Sequence, residues 1–331
     1  MGAGATSWVR AAMLFGAATA SGGADAGSGR GGEPVVATSI VQEDALRFAA
    51  LMRSTNYRPT AAQLQQRYLD GSDTGVRIFT PGRIESADNL AKTIAAEPQR
   101  YRYAIETCLP LIDALNASLK KTYRAYSQLL PKRRLPAVHV VFGAANSGGT
   151  ATADAQVLGL EVLCGPGTSA AQFATTAEGM FAHETVHSWQ PPLAAGAQDR
   201  DLLLLLALRE GVPDYLAFLA TGQVPNAERN EWAKSREAQL WAEFEADRRR
   251  VAESRNGPFS AGNAGNAAIR RWFMNYGSAP AGWPSEAGYW VGMRIAEAFV
   301  ARSGDRKAAI EILIAAQDPV EILRQSGYSP R

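Results

Sequence analysis

Histidine, cysteine and net charge are all scarce in this sequence. The 331 residues include three histidines and two cysteines, and 34 basic side chains face 32 acidic ones. A charge this balanced gives no reason to expect a nucleic-acid partner. Long apolar runs are also missing: the longest leucine run, Leu202–Leu206, is too short to span a membrane. Neither Cys108 nor Cys164 has metal-ligand spacing to another residue, and the pair could form one disulfide or remain two buried thiols.

The first 33 residues differ in composition from the rest. One positive charge precedes the small apolar stretch Ala11–Ala20, and A-x-A cleavage patterns follow at Ala18–Ala20 and Ala24–Ala26. This order predicts a secretory signal peptide with a flexible leader over 1–33, and hence a periplasmic or secreted protein. The alternative is a disordered Ala/Gly leader. The oligomeric state is left open.

The remaining residues, 34–331, are predicted to form one α+β domain without an internal linker. Residues 34–135 read as a helical part, with helices at Ser86–Ala96 and Tyr101–Leu130. Residues 136–331 form the predicted catalytic part. It opens with two short apolar strands, Ala137–Phe142 and Val157–Leu163, which the loop Gly143–Thr150 separates. Further helices are expected at about 169–189, 200–221, 226–252, 262–275, 286–302 and 305–316.

The segment Ala182–Gln190 (AHETVHSWQ) carries the clearest chemistry. Residues four apart share one face of a helix, so His183 and His187 can direct both imidazoles at one metal ion. Glu184 lies one residue round, where it can reach a water molecule without being a ligand. Two of only three histidines fall into this His-Glu-x-x-His pattern, which is typical of zinc hydrolases.

A catalytic zinc site needs a third protein ligand and an open position. His139 lies in a predicted strand, where a packed core histidine is the favoured interpretation. Glu210 and Asp214 lie four apart in the strongly apolar helix after the motif, and a buried carboxylate must be paired or bind metal. We therefore predict Glu210 as the third ligand and Asp214 as the partner of a ligating histidine. The alternative is that both carboxylates only pair with neighbouring cations.

The motif followed by Glu-Gly-Val-Pro-Asp resembles the gluzincins, the thermolysin-like superfamily of zinc metallopeptidases. The resemblance is greatest to an uncharacterised branch of predicted bacterial zinc proteases, in which an HExxH helix ending in Gln precedes an E-G-x-x-D-Y/F segment. It is carried by the matching positions His183, Glu184, His187, Gln190, Glu210, Gly211, Asp214 and Tyr215, and by Asn146–Thr150, Gly159–Glu161, Gly288–Gly292 and Ser326–Tyr328. It implies a mainly helical, zincin-like fold with a small sheet beside the motif helix. Thermolysin itself has Asn where this chain has Arg209, and a catalytic histidine that this chain lacks.

The resemblance implies a peptidase that acts on peptide or protein substrates. Zinc would be held by His183, His187 and Glu210, and Glu184 would act as general base. With no histidine after Glu210, a tyrosine is expected to stabilise the oxyanion: Tyr289 is the first candidate and Tyr276 the second. The substrate backbone is expected along Phe142–Thr150, which could equally be a simple hairpin connection. The alternative function is a catalytically inactive metal-binding protein of the same fold, acting in cell-envelope binding or scaffolding.

Overall fold

A computed structural model describes residues 39–192, 201–254 and 264–331. Most of these residues are helical and one small sheet is present, so the predicted α+β class with a helical majority is confirmed. The proposed leader, 1–33, lies outside the described residues. The helices are α1 (Glu43–Ser54), α2 (Ala61–Leu64), α3 (Thr74–Phe79), α4 (Ala87–Ala96), α5 (Pro98–Tyr103), α6 (Ile112–Leu129), α7 (Leu160–Leu163), α8 (Ala170–Trp189), α9 (Leu202–Thr221), α10 (Ala227–Lys234), α11 (Glu237–Ala252), α12 (Ala264–Trp272), α13 (Ala287–Arg302), α14 (Arg306–Ala315) and α15 (Pro319–Ser326).

The sheet contains β1 (Ala137–Val141), β2 (Gly149–Ala151) and β3 (Ala155–Gly159) in the order β1-β3-β2. β1 runs parallel to β3, and β2 runs antiparallel to it with Thr150 opposite Val157. Val41 forms an isolated bridge to His139 on the outer side of β1. Within the described sheet, β2 is therefore the strand whose outer edge is left for another partner.

Two hydrophobic cores meet at α8. One core surrounds α9 and α13, and the other packs the N-terminal helices against the sheet. Ala182, Val186 and Trp189 of α8 belong to the first core, whereas Phe173 and Phe181 belong to the second. The helix that carries the motif is thus anchored on both sides, and its position is fixed by packing rather than by a loop.

The disulfide left open by the sequence is present between Cys108 and Cys164, whose Cα atoms lie 6.4 Å apart. It joins the π-type turn Ala104–Cys108, which follows α5, to the residue that ends α7. A cross-link across 56 positions restricts the unfolded chain and so favours the folded one. Among the described residues, no helix has both the length and the apolar character needed to cross a membrane.

Four features of the fold differ clearly from the sequence predictions. The second strand ends at Gly159, and the next four residues form α7, in which the buried Glu161 side chain accepts a hydrogen bond from the backbone nitrogen of Ala145. The predicted helix 226–252 is two helices, broken at Ser235 and Arg236. The short strand β2 lies in the predicted loop, and α15 had no predicted counterpart.

Candidate metal centre

Helix α8 presents the two motif histidines on one face. Its N-terminus is fixed by a capping box, in which the Ser169 hydroxyl accepts from Gln172 N and the Gln172 side chain accepts from Ser169 N. In the last two turns of α8, the Nε2 atoms of His183 and His187 lie 3.0 Å from each other. The helical spacing predicted from the sequence thus produces a pair of imidazole nitrogens directed at one point.

Helix α9 supplies the third group. The Oε2 atom of Glu210 lies 3.5 Å from Nε2 of His183 and 3.4 Å from Nε2 of His187. Glu210 is 3% exposed, so its carboxylate is held inside the protein by the surrounding leucine-rich helix. These three residues form the one group of His, Cys, Asp or Glu side chains within the described ranges that could hold a metal ion.

The spacing of the three atoms suits a metal ion. Ligand bonds of 2.0–2.1 Å in a tetrahedral arrangement place neighbouring ligand atoms about 3.3 Å apart, close to the 3.0, 3.4 and 3.5 Å found here. The Oε2 atom of Glu210 is buried and has no hydrogen-bond partner among the described residues. A buried, unpaired carboxylate oxygen is costly, and a cation at the centre of the group would remove that cost.

The second nitrogen of each imidazole, Nδ1, also has a hydrogen-bond partner. Nδ1 of His183 lies 2.9 Å from Oδ1 of Asp214, and Nδ1 of His187 lies 2.8 Å from Oε1 of Gln190. In the neutral tautomer that carries its proton on Nδ1, each imidazole keeps a lone pair on Nε2, the nitrogen that faces Glu210. Asp214 therefore lies where its predicted partner role requires, beside a ring nitrogen of His183. The matching role of Gln190, which also donates to the backbone oxygen of Arg209, was not predicted.

Charges around the centre reinforce one another. Burial by itself would lower the pKa of His183, but the carboxylates of Asp214 and Glu210 raise it to about 10, so a proton and a metal ion compete for its Nε2 atom. Burial by itself would raise the pKa of Glu210, yet the two histidines lower it well below its ordinary value. Glu210 is therefore held as a carboxylate, which is the form that can bind a metal ion.

Glu184 follows His183 on α8 and faces the sheet edge. It is 2% exposed, and a Cβ atom placed on Gly149 of β2 would come within 2.6 Å of its Oε1 atom. The oxygen of Gly149 accepts a hydrogen bond from Ser147 Oγ at 2.8 Å, and Nε of the buried Arg83 lies 3.4 Å from the same hydroxyl. The proposed general base thus rests directly against the edge strand.

Tyr289, the first oxyanion candidate, belongs to the same cluster. Its ring stacks on the imidazole of His183 with the centroids 6.0 Å apart and the planes 13° from parallel. Burial raises the pKa of Tyr289 well above its ordinary value, and the charges of Glu210 and Glu286 raise it further. The hydroxyl therefore keeps its proton. The pKa of Tyr276, the second candidate, is also raised by burial. The charged group that acts on it is Arg100, which opposes this shift and lies outside the group formed by His183, His187 and Glu210.

His139 takes the predicted core position. It is 7% exposed on β1, beside Gly75, and burial lowers its pKa. It is not in the group that could hold a metal ion.

Arg229 is the site residue that sequence reasoning missed altogether. It is buried on α10 and forms an ion pair with Asp214. The segment around it, AERNEWAK, is polar and has the composition of an exposed helix. Nothing in that pattern separates Arg229 from the surface arginines of the chain.

No protein-family model, curated protein or solved structure matches the chain. The gluzincin resemblance therefore stays a prediction, and function is inferred from the geometry of the site residues.

Proposed function

We propose that the protein is a zinc-dependent hydrolase of the gluzincin type that cleaves peptide bonds. The observation that supports this most directly is the convergence of His183, His187 and Glu210, with the unpaired Oε2 atom of Glu210 facing both Nε2 atoms. Glu184, a buried carboxylate beside this group, is what a hydrolase needs and a purely structural metal site does not.

Zinc is the metal that we propose for this group. Two imidazole nitrogens and one carboxylate oxygen are the donor set of peptidase zinc sites, which keep a further position open. When bound there, zinc supplies Lewis acidity and lowers the pKa of a coordinated water to about 7. Asp214 and Gln190 hold the two rings in the orientation that this binding needs.

The remaining steps belong to side chains of this chain. The carboxylate of Glu184 takes the proton of the attacking water and passes it to the nitrogen of the departing amine. The hydroxyl of Tyr289 donates a hydrogen bond to the oxygen of the scissile carbonyl as negative charge develops on it. Burial supports both roles, because electrostatic interactions are stronger where water is excluded.

The outer edge of β2 is the proposed place for the substrate backbone. β2 ends the described sheet order, and an extended peptide can add to such an edge through main-chain hydrogen bonds. Gly149 has no side chain between this edge and Glu184, so a peptide can approach the proposed base closely. A periplasmic or secreted location is part of the proposal, and the disulfide between Cys108 and Cys164 supports it because disulfides persist in oxidising compartments.

The test is digestion of a broad peptide library by purified protein with and without a chelator, together with metal analysis. We expect about one zinc per chain and cleavage that the chelator abolishes. Glu184→Gln should keep the zinc and lose about 10²–10⁴-fold in turnover, whereas Glu210→Ala should lose the zinc. Absence of zinc from the wild-type protein would exclude the proposal. Bound zinc without cleavage of any peptide would instead favour the inactive metal-binding protein.

A further inference from the structure

We propose that Arg229 is a positioning residue of the metal centre. It holds Asp214, and through Asp214 the imidazole of His183, in the orientation that directs Nε2 at the ligand group. It also ties this pair to α13, the helix that carries Tyr289. The inference rests on the proposed function, because it assigns Arg229 a part in preparing the same site for its metal.

The side chain of Arg229 contacts both Asp214 and the start of α13. Its Nη2 atom forms an ion pair with Oδ2 of Asp214, whose other oxygen bonds to His183. Its Nη1 atom donates to the backbone oxygen of Glu286 at 3.2 Å, directly before α13. Its guanidinium carbon lies 5.1 Å from the centre of the Tyr289 ring. One cation therefore connects a residue that orients a ligand to the residue proposed to bind the oxyanion.

Buried negative charge explains why a cation is needed here. The carboxylates of Glu210, Asp214 and Glu286 are 3%, 4% and 8% exposed, so water screens them poorly. Glu286 has its own partners, since its oxygens accept from the backbone nitrogens of Met274 and Asn275. Asp214 depends on Arg229, because a buried carboxylate that loses its cation is strongly disfavoured in its charged form.

The local fold fixes Arg229 in this place. Asn226, with φ of +47°, caps α10 by accepting a hydrogen bond from the backbone nitrogen of Arg229 at 2.9 Å. Asn230, which follows Arg229 in the chain, accepts a hydrogen bond from Nε1 of Trp290 in α13 at 3.2 Å. Two adjacent residues thus dock α10 on α13, which leaves the guanidinium little freedom to leave Asp214.

The experiment compares zinc affinity, by chelator competition, in the wild type, Arg229→Met, Arg229→Lys, Asp214→Asn and the double variant Asp214→Asn/Arg229→Met. Loss of a group that supports a ligand lowers metal affinity by about 10–100-fold, and we expect this for Arg229→Met. Because Arg229 acts through Asp214, the double variant should bind zinc at most about twofold more weakly than Asp214→Asn does. Arg236→Met is the matched control: Arg236 covers the Trp232 ring at 5.0 Å and contacts no residue of the ligand group.

A spectroscopic measurement separates positioning from general stability. Arg229→Lys keeps the charge but not the planar fork that joins Asp214 to Glu286, so it remains informative if Arg229→Met fails to fold. The visible absorption of Co²⁺ reports ligand geometry, and we expect Arg229→Lys to shift or weaken the bands, with Arg236→Met matching the wild type. If the wild type binds zinc and the Arg229 variants keep its affinity and spectrum, the positioning role is overturned but the proposed function is not. Additive losses of affinity in the double variant would have the same consequence. No zinc binding by the wild type would overturn the proposed function together with this inference.

Discussion

Replacing Glu161 by glutamine should make the protein's stability less dependent on pH. Glu161 is fully buried; its Oε1 atom accepts from Ala145 N at 3.1 Å, and Oε2 has no hydrogen-bond partner among the described residues. Burial raises the pKa of Glu161 to about 7, although backbone hydrogen bonds from Gly143 and Ala145 and the charge of Arg100 act in the opposite direction.

The sign and size of the effect follow from that pKa. The folded protein binds the proton of Glu161 more tightly than the unfolded chain, where the pKa is near its ordinary 4.5. This residue therefore favours folding most at low pH, and its contribution is lost as pH rises from 4.5 to about 7. The difference between a pKa of 4.5 and one of about 7 corresponds to about 3 kcal/mol. Glutamine keeps the acceptor for Ala145 and cannot ionise, so it should not show this loss.

Urea unfolding between pH 4.5 and 8 measures the effect directly. The free energy of unfolding of Glu161→Gln minus that of the wild type should rise by about 3 kcal/mol over this range and then become level. Burial also raises the pKa of Glu286 to about 7, but that contribution is common to both proteins and cancels. Exposed Glu253, changed to glutamine, is the control. A difference that does not vary with pH would refute the reasoning.

Three further predictions concern the walls of the site. Tyr289→Phe should lower kcat about 10²–10³-fold with zinc content unchanged; an unaltered kcat would remove Tyr289 from the oxyanion role. Gly149→Ala should lower kcat up to about 100-fold because the new methyl displaces the Glu184 carboxylate, and metal analysis should still find zinc. Gly211→Ala should lower the free energy of unfolding by about 1–3 kcal/mol or more in thermal or urea unfolding, because its Cβ would overlap the backbone of Gly292. Gly179→Ala, on α8 with open space around it, is the control for both glycine variants and should retain activity and stability.

The sequence was most informative where one helix carries the whole pattern. Spacing of four places His183 and His187 together without knowledge of the fold, and Glu210 and Asp214 follow because carboxylates in so apolar a helix require partners. The same physical rule explains why the mainly helical class could be predicted, since helical periodicity is local. The end of the chain held a usable signal too: Asp318 followed by Pro319 is a helix start, and Asp318 indeed caps α15.

Contacts between distant segments could not be predicted. Arg229 lies 15 positions from Asp214, on a helix with a polar composition, and only the docking of α10 on α13 buries it. β2 has three residues, all paired with β3, and follows a glycine-rich stretch, so it is too short to show the alternation that identifies a strand. Glu161, in the helical turn α7, accepts a hydrogen bond from Ala145, 16 positions earlier. Each of these features is decided by tertiary structure rather than by local preference.

The contact between Gly211 and Gly292 also bears on how the site can move. These glycines bring the backbones of α9 and α13 together without intervening side chains. Glu210, Asp214 and Tyr289 therefore lie on two helices that we expect to move together as one rigid unit. Tightly packed helices open last, and their amides should exchange with solvent most slowly. The opposite wall is a three-residue strand paired on one side, which can shift at far lower cost. For the proposed enzyme we therefore expect adjustment to substrates of different shape on the β2 side and a fixed geometry on the side of Glu210 and Tyr289.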